Sequence, residues 1–270
     1  MRTSPVTVFV MAALATVAVV AHCAPADIAD YRVFAGSSVV FGGNAFVQGT
    51  VASNGPVILA SPYTITGGWV ENAGELLPAP GVFSAAASDP EISTGHDADL
   101  SLDPGSYSSL LLGNKNTLSL TAGTYTFGWI SAGSGTSLNL DLSAGDITLY
   151  ADSFAIWGDD LHVTVTGYQP GRRVYAETHG DWAVGDRGFW FGDIHATSGL
   201  GYDGSIYIGR DYCHVGSIRA AGGIYLGENA VVVPLPAAVS LGLLGLGTVA
   251  LRRRRMAFHR AAPAPEPGQP

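Results

Sequence analysis

GSIYIGRDY at residues 204–212 and GGIYLGENA at residues 222–230 are two copies of one pattern in a chain of 270 residues. Each places apolar residues at alternate positions and closes on a glycine-containing turn, which is the pattern of a short β-strand with one buried side. SSVVFGGNA at residues 37–45 has the same form. A unit this small cannot bury its own apolar side, so the copies must stack on one another.

Further copies occupy the middle of the chain. DPGSYSSLLLG (103–113) and TAGTYTFGWIS (121–131) align glycine with glycine and tyrosine with tyrosine, and a third copy begins at residue 143. The interval from Gly105 to Gly123 equals the interval from Gly204 to Gly222. This constant period predicts an all-β fold, a right-handed parallel β-helix or solenoid, and favours it over the alternative, a β-sandwich. The expected inward pairs are Val163/Val165, Val174/Ala176, Ile206/Ile208 and Ile224/Leu226.

Composition agrees with short strands and excludes some functions. The chain has 36 glycines and only 13% charged residues, a mixture that disfavours helices. Its net charge is -9, with Lys115 as its single lysine, so the phosphates of a nucleic acid would be repelled. Cys213 is the one cysteine outside the N-terminal segment, so an internal disulfide is not expected.

The segment over residues 1–26 has the form of a secretory signal peptide. A positive charge at Arg2 precedes an apolar helical stretch, and Ala24-Pro25-Ala26 fits a cleavage site. We therefore expect export, with residues 27–233 forming the β-solenoid body. Within the body, residues 61–104 are rich in Pro, Ala and Ser and predict an irregular excursion.

The chain closes on VPLPAAVSLGLLGLGTVALRRRR at residues 233–255. Residues 237–251 carry no charge and would span roughly 22 Å as a helix, short of the roughly 30 Å hydrocarbon core of a bilayer. The arginines after them hold that end in the cytoplasm. The pattern predicts a transmembrane helix over 237–251 and a disordered tail over 256–270.

This closing stretch resembles the PEP-CTERM sorting signals of Gram-negative bacteria. The matching residues are Pro234, Leu235 and Pro236, the apolar run, and Arg252, Arg253, Arg254 and Arg255. Leu235 stands where the family usually has glutamate. The resemblance implies an exosortase-type membrane protease as partner, and transient residence in the inner membrane before transfer to the cell surface or extracellular matrix.

A second resemblance covers the body. LSLDPGSYSSLLLGNKNTLSLTAGTYTF (100–127), with the later IYIGRD and IYLGEN, is similar to β-solenoid domains of bacterial surface proteins, and loosely to bactofilin-type polymer-forming solenoids. It implies a fold but supplies no catalytic residues.

Four histidines are the weak candidates for a metal site. His162, His179, His195 and His214 follow one another at nearly even intervals, and strand alternation predicts that all four point outward. Carboxylates near them would suit a divalent cation. Recurrence on similar turns of a solenoid explains the same pattern, and we expect no metal and no cofactor.

Aromatic residues supply a possible contact with glycans. Trp182, Trp190 and Tyr202 are expected as sugar-stacking platforms, beside Asp181, Asp186, Arg187 and Asp193 as a possible catalytic set. No established catalytic motif is present in the sequence. We therefore expect a non-enzymatic protein.

The predicted function is an exported structural or adhesive scaffold of the cell surface, with exopolysaccharide or matrix components as partners. One alternative is a polysaccharide-binding or polysaccharide-modifying β-helix enzyme. The other is a self-assembling, polymer-forming solenoid.

Overall fold

A computed structural model of the chain describes residues 30–235. These residues form short β-strands and no α-helix. No helix among them is long and apolar enough to cross a membrane. The first seven strands are β1 (Tyr31–Ala35), β2 (Val39–Phe41), β3 (Ala45–Val47), β4 (Thr50–Ser53), β5 (Val57–Leu59), β6 (Tyr63–Ile65) and β7 (Trp69–Val70).

A further twenty strands follow after a long connection. They are β8 (Glu91–Ser93), β9 (Asp99–Leu102), β10 (Gly105–Tyr107), β11 (Ser109–Leu112), β12 (Thr117–Thr121), β13 (Gly123–Phe127), β14 (Ile130–Ala132), β15 (Ser137–Asp141), β16 (Ile147–Ala151), β17 (Ala155–Trp157), β18 (His162–Thr166), β19 (Val174–Thr178), β20 (Trp182–Val184), β21 (Phe189–Phe191), β22 (Asp193–Ala196), β23 (Ile206–Ile208), β24 (Cys213–Val215), β25 (Ile218–Ala220), β26 (Ile224–Leu226) and β27 (Val231–Val233).

The strands build a three-sided parallel solenoid. Sheet A has the order β10-β13-β16-β19-β22-β25-β1-β4-β7, and sheet B has the order β5-β2-β26-β23-β20-β17-β14-β11-β8. The third side consists of sheet D, β18-β15-β12-β9, and sheet C, β21-β24-β27-β3-β6, which meet where β18 packs beside β21. Each turn of the chain passes through A, then B, then the third side.

The order of the turns is not the order of the sequence. The N-terminal strands stack on the C-terminal end of the solenoid, because β1 pairs with both β25 and β4, and β27 pairs with both β24 and β3. After β7 the chain must return to the opposite end of the molecule before β8 begins. It does so through residues 71–90, which we call the strap.

The strap crosses the outer side of sheet A. Leu77 packs on the buried cluster of Tyr31, Phe34 and Ala52, at the end where the N-terminal strands lie. Farther along, the ring of Phe83 stacks on Tyr150 at a centroid distance of 4.2 Å. The strap therefore covers a sheet face that would otherwise expose apolar and aromatic side chains.

The core between the three sides is one apolar cluster, and its largest side chains lie in the middle turns. Trp157, Trp182 and Trp190 meet there, with the rings of Trp182 and Trp190 4.9 Å apart in an edge-to-face arrangement. Such an arrangement is favoured by the ring quadrupoles. These large side chains fill the longest turns, which smaller residues would leave hollow.

The predicted solenoid is confirmed, and the β-sandwich alternative is excluded because every strand pair of the described sheets is parallel. The constant period predicted between copies holds only at the two ends. A glycine recurs after successive strands of sheet B. The interval from Gly95 to Gly113 equals that from Gly209 to Gly227. The intervals between successive glycines from Gly113 to Gly209 are longer. The members between these pairs are Gly133, Gly158 and Gly185. The longer turns carry the tryptophans and the insertions between strands.

The predicted inward pairs all pack on the core, as expected; seven of the eight residues are buried and Val165 is half-buried. The alignment of the two copies at 103–113 and 121–131 is wrong by two residues. Gly105 pairs with Tyr125 and not with Gly123, and Tyr107 pairs with Phe127, because this turn is longer than the alignment assumes. An even offset preserves which side chains point inward, so the error leaves the burial pattern intact.

The predicted excursion over residues 61–104 is partly regular. It contains β6 and β7 at one end of the solenoid and β8 and β9 at the other, joined by the strap. The signal peptide, the sorting signal from Pro236 onward, the transmembrane helix and the tail lie outside the described residues.

Candidate functional site

Sheet B presents an open face to solvent. Its strands are short, and in most of them one residue points outward between two that point into the core. In β8, at the end of the sheet, Ser93 and the charged Glu91 both point outward and Ile92 packs against the core. Strand pairing places these outward residues in one column across nine strands. The column runs Ser93, Leu111, Ser131, Ile156, Ala183, Tyr207, Tyr225, Val40 and Ile58.

The column carries no charge and is largely apolar. Ile58 is 54% exposed and Ile156 45%. The rings of Tyr207 and Tyr225 stack in parallel, 4.9 Å apart and 3° from coplanar. Nine strands at a spacing of about 4.8 Å extend the column over roughly 38 Å. An apolar strip of this length on a monomer usually marks a contact surface.

A track of glycines borders this column on the side toward sheets C and D. Glycine follows the strand in eight of the nine turns, and all of them except the terminal Gly95 approach the neighbouring turn so closely that a side chain has no room. A Cβ atom at Gly158, for example, would lie 2.6 Å from the backbone nitrogen of Ser134. The members are Gly95, Gly113, Gly133, Gly158, Gly185, Gly209, Gly227 and Gly42. The face is flat there because no side chain projects.

The turn beyond the glycines has the same conformation in each of these eight turns. Its second residue has a positive φ, near 58° at Asn44 and 59° at Lys115, the left-handed region that asparagine and glycine tolerate best. Polar side chains of this turn bond to the next one. Asp186 accepts a hydrogen bond from the backbone N–H of Arg210. Its carboxylate also forms an ion pair with the guanidinium of Arg210, with 2.7 Å between oxygen and nitrogen. The charges therefore lie along an edge of the face and outside the column.

An aromatic ridge borders the opposite side of the column, at the edge between sheets A and B. Trp129 and Phe154 lie 5.5 Å apart between centroids, and Phe154 and Tyr202 lie 6.0 Å apart. Leu200, in the same loop as Tyr202, is 72% exposed. The outward column of sheet B is thus an uncharged strip between a ridge of aromatic rings and the glycine track.

The open face of sheet D differs in chemistry. Its outward residues are hydroxyl and amide side chains, such as Ser119, Asn139 and Thr164 in one column. Asp99, Asp141 and His162 stand in the flanking columns, so this face carries ionisable groups. It is also only four strands wide.

The four histidines do not share a column or an exposure. His162 is exposed on sheet D, and His214 is fully buried in the core, where burial lowers its pKa to about 4. His195 is in the outer column of sheet A, opposite Glu177, yet it is only 4% exposed, and burial lowers its pKa as well. The prediction of four outward, exposed histidines is therefore wrong for His195 and His214. The described residues contain no group of three or more side chains suited to a metal.

His179 holds the strap against sheet A. Its Nδ1 lies 3.2 Å from a carboxylate oxygen of Asp152, and its Nε2 lies 3.0 Å from the carbonyl oxygen of Gly81. Its ring also stacks on Phe83 at 3.9 Å. The amide of Gly81 donates to Glu177 at 2.7 Å. Sheet A thus holds the middle of the strap through both polar and aromatic contacts.

The interpretation of Trp182 and Trp190 as glycan platforms requires correction. Their side chains are 1% and 0% exposed and belong to the core, so no ligand can stack on them. Tyr202 alone of the three is exposed, at 38%. Both tryptophans occupy inward positions of their strands, where they fill the core of the longer turns.

The four residues considered as a catalytic set also lie apart. Asp181 is at the edge between sheets A and B and bonds to the amide of Ser205, and Asp193 is on sheet A and bonds to Ser217. Asp186 and Arg187 are in the turn beyond the glycine track. These side chains point away from different sides of the solenoid and do not converge on one cleft.

Sequence reasoning missed the outward column of sheet B. The signal was present, since each member is the middle residue of an apolar-x-apolar-Gly or closely related unit, as in IYIG at 206–209 and AIWG at 155–158. The middle residues share no chemistry except lack of charge, and a search for reactive side chains passes over them.

Comparison with solved structures shows the same fold in one ice-binding protein. An ice-binding protein from the Antarctic ascomycete Antarctomyces psychrotrophicus is 14% identical and has a TM-score of 0.51, over 77% of this chain and 96% of its own. An ice-binding protein from an Antarctic biological consortium is 16% identical, over 76% and 87%, with a TM-score of 0.38. The DUF3494 domain of Shewanella frigidimarina ice-binding protein 1 is 15% identical, over 79% and 98%, with a TM-score of 0.36. No family model and no curated protein matches the sequence.

The predicted function is corrected by this comparison. The three solved structures named above are ice-binding proteins, and not adhesive or matrix scaffolds. The two alternatives, a polysaccharide-binding or polysaccharide-modifying enzyme and a polymer-forming solenoid, receive no support from it either. None of the three names describes an enzyme, in keeping with the expectation of a non-enzymatic protein.

Proposed function

We propose that the protein binds ice through the outward column of sheet B and its glycine track. The observation that supports this most is the face itself: nine parallel strands present an uncharged column of outward residues beside a track of glycines. The ice-binding protein with a TM-score of 0.51 shares the fold. At 14% identity the likeness bears on fold alone, so the proposal depends on the face.

A flat and uncharged face suits a crystalline solid. Ice offers a rigid plane, so contact is made only by a surface without projections. An ionised side chain in the contact would have to lose its hydration, and the loss would not be offset by an opposite charge in the ice. Side chains on a sheet are held in place by their neighbours, so little conformational entropy is lost on contact.

The proposal is tested by placing one charge on each open face of the same turn. Ile156→Arg puts a guanidinium in the column of sheet B, and Thr164→Arg puts one in the middle of sheet D. For Ile156→Arg, the protein concentration that stops ice recrystallisation is expected to rise by on the order of tenfold or more, since each 1.4 kcal/mol of lost adsorption energy is a factor of about ten.

Thr164→Arg is the matched control and should leave ice recrystallisation unchanged. Circular dichroism and thermal melting of both variants establish that each is folded. Loss of activity in Thr164→Arg with full activity in Ile156→Arg would move the site to sheet D. Absence of any effect of the unsubstituted protein on ice would refute the proposed function.

Export by the N-terminal signal and sorting by the C-terminal motif belong to the same proposal. The support is the sequence pattern of residues 1–26 and 234–255. Four further points also stay predictions. They are an exosortase-type protease as partner, contact with exopolysaccharide or matrix components, the right-handed winding and the C-terminal transmembrane helix. Mass spectrometry of the protein from its native host tests the processing: a C-terminus near Pro236 is expected, and an intact Arg252–Arg255 stretch would contradict it.

A further inference from the structure

The described chain begins and ends at the same edge of the solenoid. β27 closes the third side, where the carbonyl oxygen of Val233 accepts a hydrogen bond of 2.8 Å from the amide of Gly216. The next position along the coil, on sheet A, is taken by β1, which starts at Tyr31. Both ends therefore lie at the edge between sheet C and sheet A, on neighbouring turns. We call this the exit edge.

The exit edge is opposite sheet B. In a three-sided solenoid each edge joins two sides and faces the third. Sheets C and A meet at the exit edge, so sheet B forms the side farthest from it. The strap leaves the outward column of sheet B open. It reaches that sheet at the first residue of β5, where the amide of Val57 donates to Glu71, and its contacts at Asn54, Glu177 and His179 are with sheet A and the adjoining edge.

The link between the body and the C-terminal apolar run is short. Leu235 still packs against the core, and Pro236 immediately precedes the uncharged run of residues 237–251. Proline fixes its own φ and restricts the residue before it, so the two prolines at 234 and 236 stiffen the link. A body joined through so few restricted residues cannot turn over freely.

We propose that the exit edge faces the lipid bilayer while the C-terminal segment resides there, and that sheet B then points directly away from the membrane. The partner is a lipid bilayer, which the chain's own apolar segment engages. The continuation of this edge between sheets D and A carries Arg172 and Arg173, and the amide of Arg173 bonds to Asp146. Positive and negative groups lie together there, so charge does not set the orientation of the body on the bilayer. The point at which the C-terminal segment is attached sets it. The inference rests on the proposed function only for what the outward face does.

The test measures distances from the membrane without ice. The full chain, with Cys23→Ser and Cys213→Ser, is reconstituted into vesicles of phosphatidylethanolamine and phosphatidylglycerol that carry a headgroup-attached energy acceptor. Single cysteines at Ser131 on sheet B, Asn139 on sheet D and Gln48 at the exit edge carry the donor. Melting of each labelled protein confirms that it is folded.

Energy transfer is expected to be strongest from Gln48→Cys, intermediate from Asn139→Cys and weakest from Ser131→Cys. Equal transfer from the three sites, stronger transfer from Ser131→Cys, or failure of the chain to associate with the vesicles would each overturn the inference. The two proposals fail separately. Ice binding by a face that points toward the bilayer refutes only the orientation, and an outward face without ice binding refutes only the function.

Discussion

At the scale of single residues, burial of ionisable groups makes stability depend on pH. His214 is fully buried, and burial lowers its pKa from 6.5 to about 4. Between these values the unfolded chain binds a proton that the folded chain does not. The free energy of unfolding therefore falls as the pH drops from about 6.5 to about 4, by at most about 1.4 kcal/mol per pH unit for this group.

His214→Leu should reduce this dependence. Leucine fills a similar volume in the core and cannot be protonated, so urea unfolding between pH 7.5 and pH 4.5 should give a smaller loss of stability than in the parent protein. His195, whose pKa burial also lowers, keeps part of the slope in the variant. An unchanged slope would show that His214 is not the group responsible.

At the scale of elements, the glycine track is required for the turns to stack. Gly158→Ala would place a Cβ atom 2.6 Å from the nitrogen of Ser134 and 2.7 Å from the carbonyl carbon of Gly133, which are backbone atoms that cannot move aside. We expect a loss of about 1–3 kcal/mol, the usual cost of overpacking. Gly95→Ala is the control, because no atom lies within 4 Å of its Cβ position. Thermal melting that ranks the two alike would contradict this account.

The strap is expected to depend on one aromatic contact more than on its exposed apolar residues. Phe83 lies between Tyr150 and His179, at 4.2 and 3.9 Å, whereas Val82 is fully exposed beside it. Phe83→Ala should raise the amide hydrogen exchange of the strap and lower the melting temperature, since a stacked pair adds about 0.5–1.5 kcal/mol beyond area burial. Val82→Ala should change neither. Equal protection of the strap in both variants would refute the role of Phe83.

The elements also mark how far the sequence predicts the structure. Alternation in units such as GSIYIGRDY is enough to predict strands, inward residues and stacking. Turn length is not encoded in the same way, because residues inserted at an edge of the solenoid leave the stacking of the strands intact. The outward column of sheet B consists mostly of Ile, Ala, Ser and Tyr. These residues share only their position on one face, and that position follows from the register of strand pairing.

At the scale of the whole molecule, the order of the turns was beyond sequence reasoning. Nothing local in residues 31–70 indicates that they stack on β25–β27 at the far end of the chain. Once this is known, the strap has a plain cause. A chain that places its first strands at one end and its next strands at the other must travel the length of the solenoid between them.

This topology predicts that the chain tolerates circular permutation. Joining residue 235 to residue 30 by a short Gly-Ser linker should close the gap at the exit edge, and new termini between Ala86 and Ala87 fall in an exposed part of the strap. Permutation succeeds where ends are close and cuts are exposed. Far-ultraviolet circular dichroism and melting should match the parent protein. An unfolded permutant would mean that the two ends are not neighbours.

Ice binding by sheet B is tested by adsorption of the protein to a single ice crystal. A fluorophore attached at Asn139→Cys, on sheet D, in the chain with Cys23→Ser and Cys213→Ser, leaves sheet B open. A hemisphere of ice grown in dilute labelled protein is then viewed for fluorescence. We predict fluorescence on defined crystal planes for the labelled parent, and none when Ile156→Arg is added. Ice that stays dark with the labelled parent, or stays equally bright with Ile156→Arg, would contradict ice binding by sheet B.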